Sequence, residues 1–227
     1  MSTLNKTYTE GAYFTARLPY DSQRERLWPV LCDYLQRDVP KQGSVLELGG
    51  GYCYFINHIQ AAERFVLDLY PEIRSYAAPG VTPLVQSCTD LTNFKRESLD
   101  VVFASNLFEH LTREDLDQTL AGVRDVLRPG GKLLIIQPNF KYCYREYFDD
   151  YTHLQIFTDT SLADLLTVSG FQVEKMIPRF LPFSVKTGGP KWPSLLRLYL
   201  TLPWRPFAGQ MYIVAKKCGG SLTLMVP

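Results

Sequence analysis

A short apolar run that dissolves into three consecutive glycines and resumes as an apolar helix start, Ser44-Val-Leu-Glu-Leu-Gly-Gly-Gly-Tyr-Cys-Tyr-Phe55, constrains this chain more than any other stretch. Ser44 to Leu48 reads as a buried strand containing one acid. Gly49, Gly50 and Gly51 then allow a tight turn with no side chains in the way, and Tyr52 to Ile59 is apolar enough to begin a helix. A ligand of nucleotide type can lie against the bare backbone of such a turn, near the helix N-terminus. Glycine clusters also mark ordinary strand-to-helix turns, so the meaning of this one depends on the residues downstream of it.

The same alternation continues along the chain. Strands are expected at Ser44–Leu48, Arg64–Leu69, Pro83–Gln86, Leu99–Ala104, Lys132–Gln137, Phe171–Ile177 and Gln210–Ala215. Helices are expected at Ser22–Gln36, capped by Asp21 and distorted by Pro29, at Arg113–Leu127, stopped by Arg128-Pro-Gly-Gly131, and at Thr158–Ser169, ended by Gly170. Alternating units of this kind predict an α/β fold with a doubly wound, mostly parallel sheet. Before it, residues 1–39 form an N-terminal helical lid in which Tyr13, Phe14 and Tyr20 stand out; residues 40–177 form the core. Residues 178–209 break the pattern with prolines and aromatics and one helix at Ser194–Leu202, and read as a C-terminal cap insertion. The last strand occupies 210–217, and the tail to Pro227 is expected to be loosely ordered.

At 227 residues, 46% of them hydrophobic, the chain suits one sizeable domain. A formal net charge of +1 gives no basic face for nucleic acid, so none is expected as a partner. Cys32, Cys53, Cys88, Cys143 and Cys218 are odd in number and form no C-x-x-C pair, which suits free thiols in a reducing compartment. With no apolar signal core at the N-terminus and no membrane-length apolar run, a soluble cytoplasmic protein, monomeric or homodimeric, is expected.

Three acids fall where an adenosine-type ligand needs them. Glu47 ends the first strand beside the turn. Asp68 ends the second, next to Leu69, at the place from which a carboxylate accepts from ribose hydroxyls. Asp90 follows the third and is placed to accept from an adenine amino group, with Leu91 packing beside the ring. The alternative reading of each is a loop acid or a helix cap. A dinucleotide fingerprint counted from Gly49 needs glycine at position 54, where Tyr54 stands, and an acid just before the turn suits a cationic ligand better than a pyrophosphate.

Taken together, Glu47-Leu-Gly-Gly-Gly51, Asp68, Cys88-Thr-Asp90, Asn106-Leu-Phe-Glu-His110 and Leu127-Arg-Pro-Gly-Gly131 resemble the ordered motifs of class I S-adenosylmethionine-dependent methyltransferases, over roughly residues 40–177. The resemblance implies a Rossmann-like seven-stranded sheet whose last strand runs antiparallel, and S-adenosyl-L-methionine as cofactor. It implies Glu47 toward the cationic amino-acid end of that cofactor, Gly49 and Gly51 as its cradle, and Asn106 and Leu107 across its methionine moiety. The chain departs from the family at the third glycine position, which is Cys53.

The stretch from Pro138 to Leu154 leaves the fifth strand at the ligand edge, carries many aromatics and ends in Asp149-Asp150-Tyr151-Thr152-His153. Here the chain is similar to a branch of the family acting in glycan, lipid or natural-product biosynthesis. His153, oriented by Asp150 or Asp149, is the first candidate for the base that takes a proton from the acceptor, and His110 is the second; a structural histidine is the alternative in both cases. Asp149, Asp150 and His153 do not form a diagnostic metal spacing, and no metal is assigned. The insertion, with Trp192, Trp204, Lys186, Lys191, Arg197 and Arg205, covers the acceptor, mediates a dimer or touches a membrane surface. Two functions stay open: a methyltransferase acting on a small molecule or a glycan- or lipid-linked intermediate, and a non-catalytic S-adenosylmethionine-binding regulatory protein, which only Cys53 favours.

Overall fold

A computed structural model describes residues 11–182 and 191–219. Lys186, residues 1–10 of the expected lid and the tail from 220 lie outside the described residues. In chain order the elements are α1 (Ala12–Ala16), α2 (Ser22–Glu25), α3 (Trp28–Leu35), β1 (Ser44–Leu48), α4 (Tyr54–His58), β2 (Glu63–Asp68), α5 (Ile73–Tyr76), β3 (Val81–Val85), β4 (Leu99–Ser105), α6 (Arg113–Val126), β5 (Leu127–Pro138), α7 (Phe140–Cys143), α8 (Asp159–Val168), β6 (Phe171–Pro182), α9 (Pro193–Thr201) and β7 (Ala208–Lys217).

The seven strands form one sheet in the order β3-β2-β1-β4-β5-β7-β6. β1 pairs in parallel with β2 and β4, β2 with β3, and β4 with β5, while β7 runs antiparallel between β5 and β6. The order reverses at β1, which lies between β2 and β4. Ligands in open α/β sheets collect at such a point, outside the carboxyl ends of the strands. The register Leu48↔Leu67 and Leu48↔Ala104 brings the glycine turn level with Asp68 on one side and Ser105–Asn106 on the other.

β1 is buried along its whole length, as expected of a strand covered on both faces. One apolar layer joins Leu46, Leu48, Val102 and Leu133 to α6 and α8; the other joins Val45, Val101, Phe103 and Leu134 to α3, α4 and α9. In the second layer Phe55 stacks on Phe103, with ring centroids 3.8 Å apart.

Several boundaries differ from the sequence reading. The helix expected over Ser22–Gln36 is two helices, because Pro29 cannot continue a turn begun before it and instead sits in the first turn of α3; Asp21 does cap α2, accepting from the Gln23 and Arg24 N–H groups. Arg128-Pro-Gly-Gly131 ends the helix by bulging within β5: the pairing jumps from Leu99↔Leu127 to Val101↔Lys132, with Gly130 at φ 78°. The expected cap insertion is shorter than 178–209, since β6 runs to Pro182 and β7 begins at Ala208, and α9 packs on α3. Thr158 caps α8 through a reciprocal capping box with Ser161.

Phe103→Ala empties a fully buried site and removes the stack with Phe55, so the expected cost is about 3–5 kcal/mol, read by urea unfolding.

Candidate active site

The glycine turn needs glycine for two reasons. Gly49 and Gly51 sit at φ 64° and 51°, a backbone region that side chains disfavour. Packing closes off the rest: a Cβ on Gly49 would lie 2.9 Å from Leu107, and one on Gly50 only 2.1 Å from Val66. The turn is fixed from the neighbouring strand, because the Gly51 N–H donates to Asp68 Oδ2 at 2.8 Å and the Tyr70 N–H to Oδ1 at 2.9 Å. Asp68 is half-buried, and burial raises its carboxyl above the ordinary range while these N–H groups pull it down. A carboxylate has about four lone-pair sites, so acceptor capacity remains beyond these backbone bonds.

The third glycine position keeps its conformation after losing its glycine. Cys53 has φ 58° and ψ 25°, the left-handed region, and begins α4 fully buried. Its Sγ lies 3.8 Å from the Ile73 carbonyl oxygen, inside the core layer under α4. The side chain at this position therefore stores backbone strain of order 1 kcal/mol and directs its thiol toward the core beside Ile73.

The other expected ligand residues divide. Leu107 lies directly over Gly49, and Leu69 is half-buried beside Asp68. Asn106 takes φ 49°; its N–H donates to the Ile136 carbonyl and its Oδ1 accepts from Gln210 of β7, so it offers a backbone turn. Glu47 is buried beneath the turn, where Oε2 accepts from the Ile56 N–H of α4, and burial pushes its carboxyl up to about 8. That geometry makes Glu47 a brace between β1 and α4. Asp90 is exposed, and its Oδ1 accepts from the N–H and hydroxyl of Thr92, a local turn cap. Leu91 packs in the core against α6 near Gly122. Asp90 Oδ2 takes no part in the cap with Thr92.

A second cluster assembles beyond Asn106. Glu109 and His110 close the 3-10 turn Phe108–His110. The Glu109 carbonyl accepts from the Leu154 and Gln155 N–H groups, which brings His153 to His110 with ring centroids 4.9 Å apart. His153 Nδ1 lies 2.6 Å from the Tyr147 carbonyl, so Nδ1 carries the hydrogen and Nε2 the lone pair. The Thr152 hydroxyl donates to Asp150 Oδ1 at 2.6 Å and so accepts from His110 Nδ1 at 3.0 Å. Burial lowers both histidines below the ordinary imidazole range, His110 to about 4. Glu109 is buried with Oε2 accepting from Gln137 Nε2 at 2.8 Å, and burial pushes it up to about 8.

The orientation expected of Asp150 is thus corrected. Asp150 holds Thr152 and ion-pairs with Arg17 at 3.1 Å, while the Tyr147 carbonyl holds His153. Asp149 lies in the 3-10 turn Tyr147–Asp149. Among the described residues the set close enough to share an ion is Glu109, His110 and His153, whose ligand atoms lie within 4.8 Å of one another, and not Asp149, Asp150 and His153.

α1 bridges the two clusters, a feature that sequence spacing does not reveal. Phe14 stacks on Tyr70 at 4.1 Å beside Gly51, and its neighbour Tyr13 meets the His110 ring edge-on at 5.6 Å. Arg17, one turn later, reaches Asp150 across 133 positions of sequence. The aromatics at 13 and 14 are the only signal of it in the sequence.

A bare turn, a carboxylate with spare acceptor capacity on the adjacent strand tip, and an aromatic wall from Tyr70 and Phe14 fit an adenosine-bearing ligand. Residues 46–135 match the sequence profile of the methyltransferase domain family. No curated protein matches the sequence. Among solved structures, a chain of the Haloferax volcanii complex that contains the Trm112 methyltransferase activator is 18% identical, with 88% of this chain and 93% of that one covered at a TM-score of 0.66. An S-adenosylmethionine-dependent methyltransferase from Archaeoglobus fulgidus is 20% identical, covering 85% and 97%, at 0.61. The Burkholderia thailandensis 1,6-didemethyltoxoflavin-N1-methyltransferase, solved with that substrate and S-adenosylhomocysteine, is 18% identical, covering 92% and 85%, at 0.61. These likenesses give the fold as that of class I methyltransferases.

Cys53 makes a test of the turn. Cys53→Gly relieves the left-handed strain while losing a buried side chain, so stability is expected to stay within about 1 kcal/mol. Cys53→Val, β-branched in the same conformation, is expected to cost more than about 2 kcal/mol in the same urea titration.

Proposed function

We propose that this chain, built on a methyltransferase domain over residues 46–135, moves the methyl group of S-adenosylmethionine to a hydroxyl or amine of a small molecule or of a glycan- or lipid-linked biosynthetic intermediate. The observation that carries the reading is the bare turn Gly49–Gly51, tied at Gly51 to a carboxylate on the neighbouring strand tip. In this reading Asp68 accepts from the ribose hydroxyls, the turn approaches the amino-acid portion, and the backbone at Asn106 and Leu107 flanks the methionine chain.

The bound cofactor supplies a methyl group already activated on a sulfonium sulfur. What remains for the protein is alignment and a proton. The acceptor atom bonds to the methyl carbon as the carbon–sulfur bond breaks, leaving S-adenosylhomocysteine, and a hydroxyl acceptor must release its proton. His153 fills that role: Nε2 is the acceptor nitrogen, and a ring held below its ordinary pKa stays neutral near pH 7. His110, lowered by burial to about 4, stays neutral and holds the cluster through Thr152. Arg17 and Asp150 join α1 to the loop that carries His153, so the segment over the donor and the segment that meets the acceptor move together.

The regulatory-protein alternative rests on Cys53. Its thiol points into the core beside Ile73, away from the cradle, which supports the enzyme. Incubation with labelled S-adenosylmethionine and a panel of hydroxyl and amine acceptors distinguishes the two; transfer is expected, and donor binding with transfer to none would favour the regulator.

Asp68→Ala removes a charged acceptor worth about 1.5–3 kcal/mol per bond, so calorimetry is expected to show donor affinity down ten-fold or more. Unchanged affinity would refute the ribose role. His153→Ala is expected to lower turnover of a hydroxyl acceptor by roughly 10²-fold or more with donor affinity intact. The base works as the neutral ring, and its pKa lies below the ordinary 6.5. Turnover is therefore expected to hold from neutral pH to below 6.5 before falling, and a fall already above 6.5 would contradict the role.

A further inference from the structure

All 23 acidic residues lie at or before Glu174, together with 16 of the 24 lysines and arginines. The remaining eight cations, from Lys175 to Lys217, share the last stretch of chain with no acid of its own. The near-neutral total thus hides two opposed halves. Some of the late cations are answered across the fold: Lys175 by Asp38, Lys191 by Asp21, Arg197 by Asp33, Lys216 by Glu174 and Lys217 by Glu97. Arg179 and Arg205 have no such answer. Among the described residues neither ion-pairs with a carboxylate, and Nε of both and Nη1 of Arg205 are buried without a hydrogen-bond partner. Arg205 lies between the Tyr34 and Phe180 rings and donates to the Leu200 carbonyl at the C-terminal end of α9. Arg179 lies between the Tyr142 and Trp204 rings.

These two charges lie under and beside an apolar surface. α9 buries Leu200 and packs Leu196 against the core, and it turns the opposite face outward. On that face Trp192, Leu195, Leu198 and Leu202, spaced three, three and four residues apart, form one exposed stripe, and Trp204 and Phe207 continue it. Monomeric soluble domains rarely expose so many large apolar side chains together. Tryptophan is also the side chain favoured where an apolar phase meets a polar one.

We propose that α9 and its flanks form a docking surface for a bilayer rich in anionic phospholipid. The stripe from Trp192 to Leu202, with Trp204 and Phe207, enters the acyl boundary, and exposed Arg197 with part-exposed Arg179 faces the phosphate layer, while Arg205 stays buried beneath α9. Arg179 links this surface to Tyr142, on the loop that leads to His153, so docking sets the acceptor side of the site against the bilayer. No helix of the described residues is long and apolar enough to cross a membrane, and the contact is peripheral. A second copy of the chain is the competing occupant, but a two-fold contact through this stretch would set Arg179 and Arg197 against their own copies, with no acid after Glu174 to compensate them.

Cosedimentation with extruded vesicles tests this, and because it needs neither donor nor acceptor, its result is independent of methyl transfer. Binding to phosphatidylcholine vesicles containing phosphatidylglycerol is expected to exceed binding to phosphatidylcholine alone, and to weaken as salt is raised. The double variant Leu198→Asp, Trp204→Asp, at positions 60% and 66% exposed, is expected to lose binding by roughly ten-fold or more while keeping the wild-type melting temperature. Arg197→Glu, 70% exposed, changes charge alone and is expected to weaken binding by roughly ten-fold even if the double variant fails to fold. Val168→Asp, equally exposed on α8, is expected to bind as wild type. Vesicle binding that is absent, indifferent to lipid charge or unaltered by Arg197→Glu would overturn the proposal. So would concentration-dependent dimerisation abolished by these substitutions in place of vesicle binding.

Discussion

The hydrogen bond from the Gly51 N–H to Asp68 is the contact on which the site depends. It joins a turn with no side chains to the tip of the adjacent strand, at the place where the strand order of the sheet reverses. Without it, the three glycines would be the most flexible stretch of the chain, because glycine has the most conformational freedom to lose. With it, the turn is pinned from β2, braced from beneath by the bond between Glu47 and α4, and roofed by Leu107. The proposed donor site is hung from that anchorage.

The second cluster is organised differently. No single strand tip fixes His110 and His153; a loop is folded back on itself by backbone bonds to Glu109 and tied to α1 through Arg17. The result is a largely buried, polar cluster in which burial lowers two imidazoles and raises one carboxyl. α1 touches both clusters through adjacent residues, Tyr13 and Phe14, and so couples them mechanically.

The sheet is legible in the sequence because its signals are local. β1 has its expected bounds, and the other strands shift by a few residues where pairing with a neighbour extends them, as in β5 and β6. The turn and Asp68 are legible for the same reason: strand, glycine and acid are close in sequence and fixed by register. Asp90 and Leu91 are less legible, because an acid after a strand also makes an Asx turn and an apolar residue after it also fills a core; the fold gives Asp90 the Thr92 cap and Leu91 a place against α6. Asp150 misleads because its partner, Arg17, is far away in sequence, and no spacing rule reaches that distance. Cys53 looks in the sequence like a change in packing; its left-handed backbone adds that the position keeps a glycine's conformation under a side chain.

In the proposed function the turn and Asp68 together form a cradle for adenosine linked to a methionine chain. Calorimetric titration of the wild-type chain with S-adenosylhomocysteine tests that claim without any acceptor. Saturable one-to-one binding that free adenosine competes for is the predicted result; no heat of binding at millimolar ligand would contradict it.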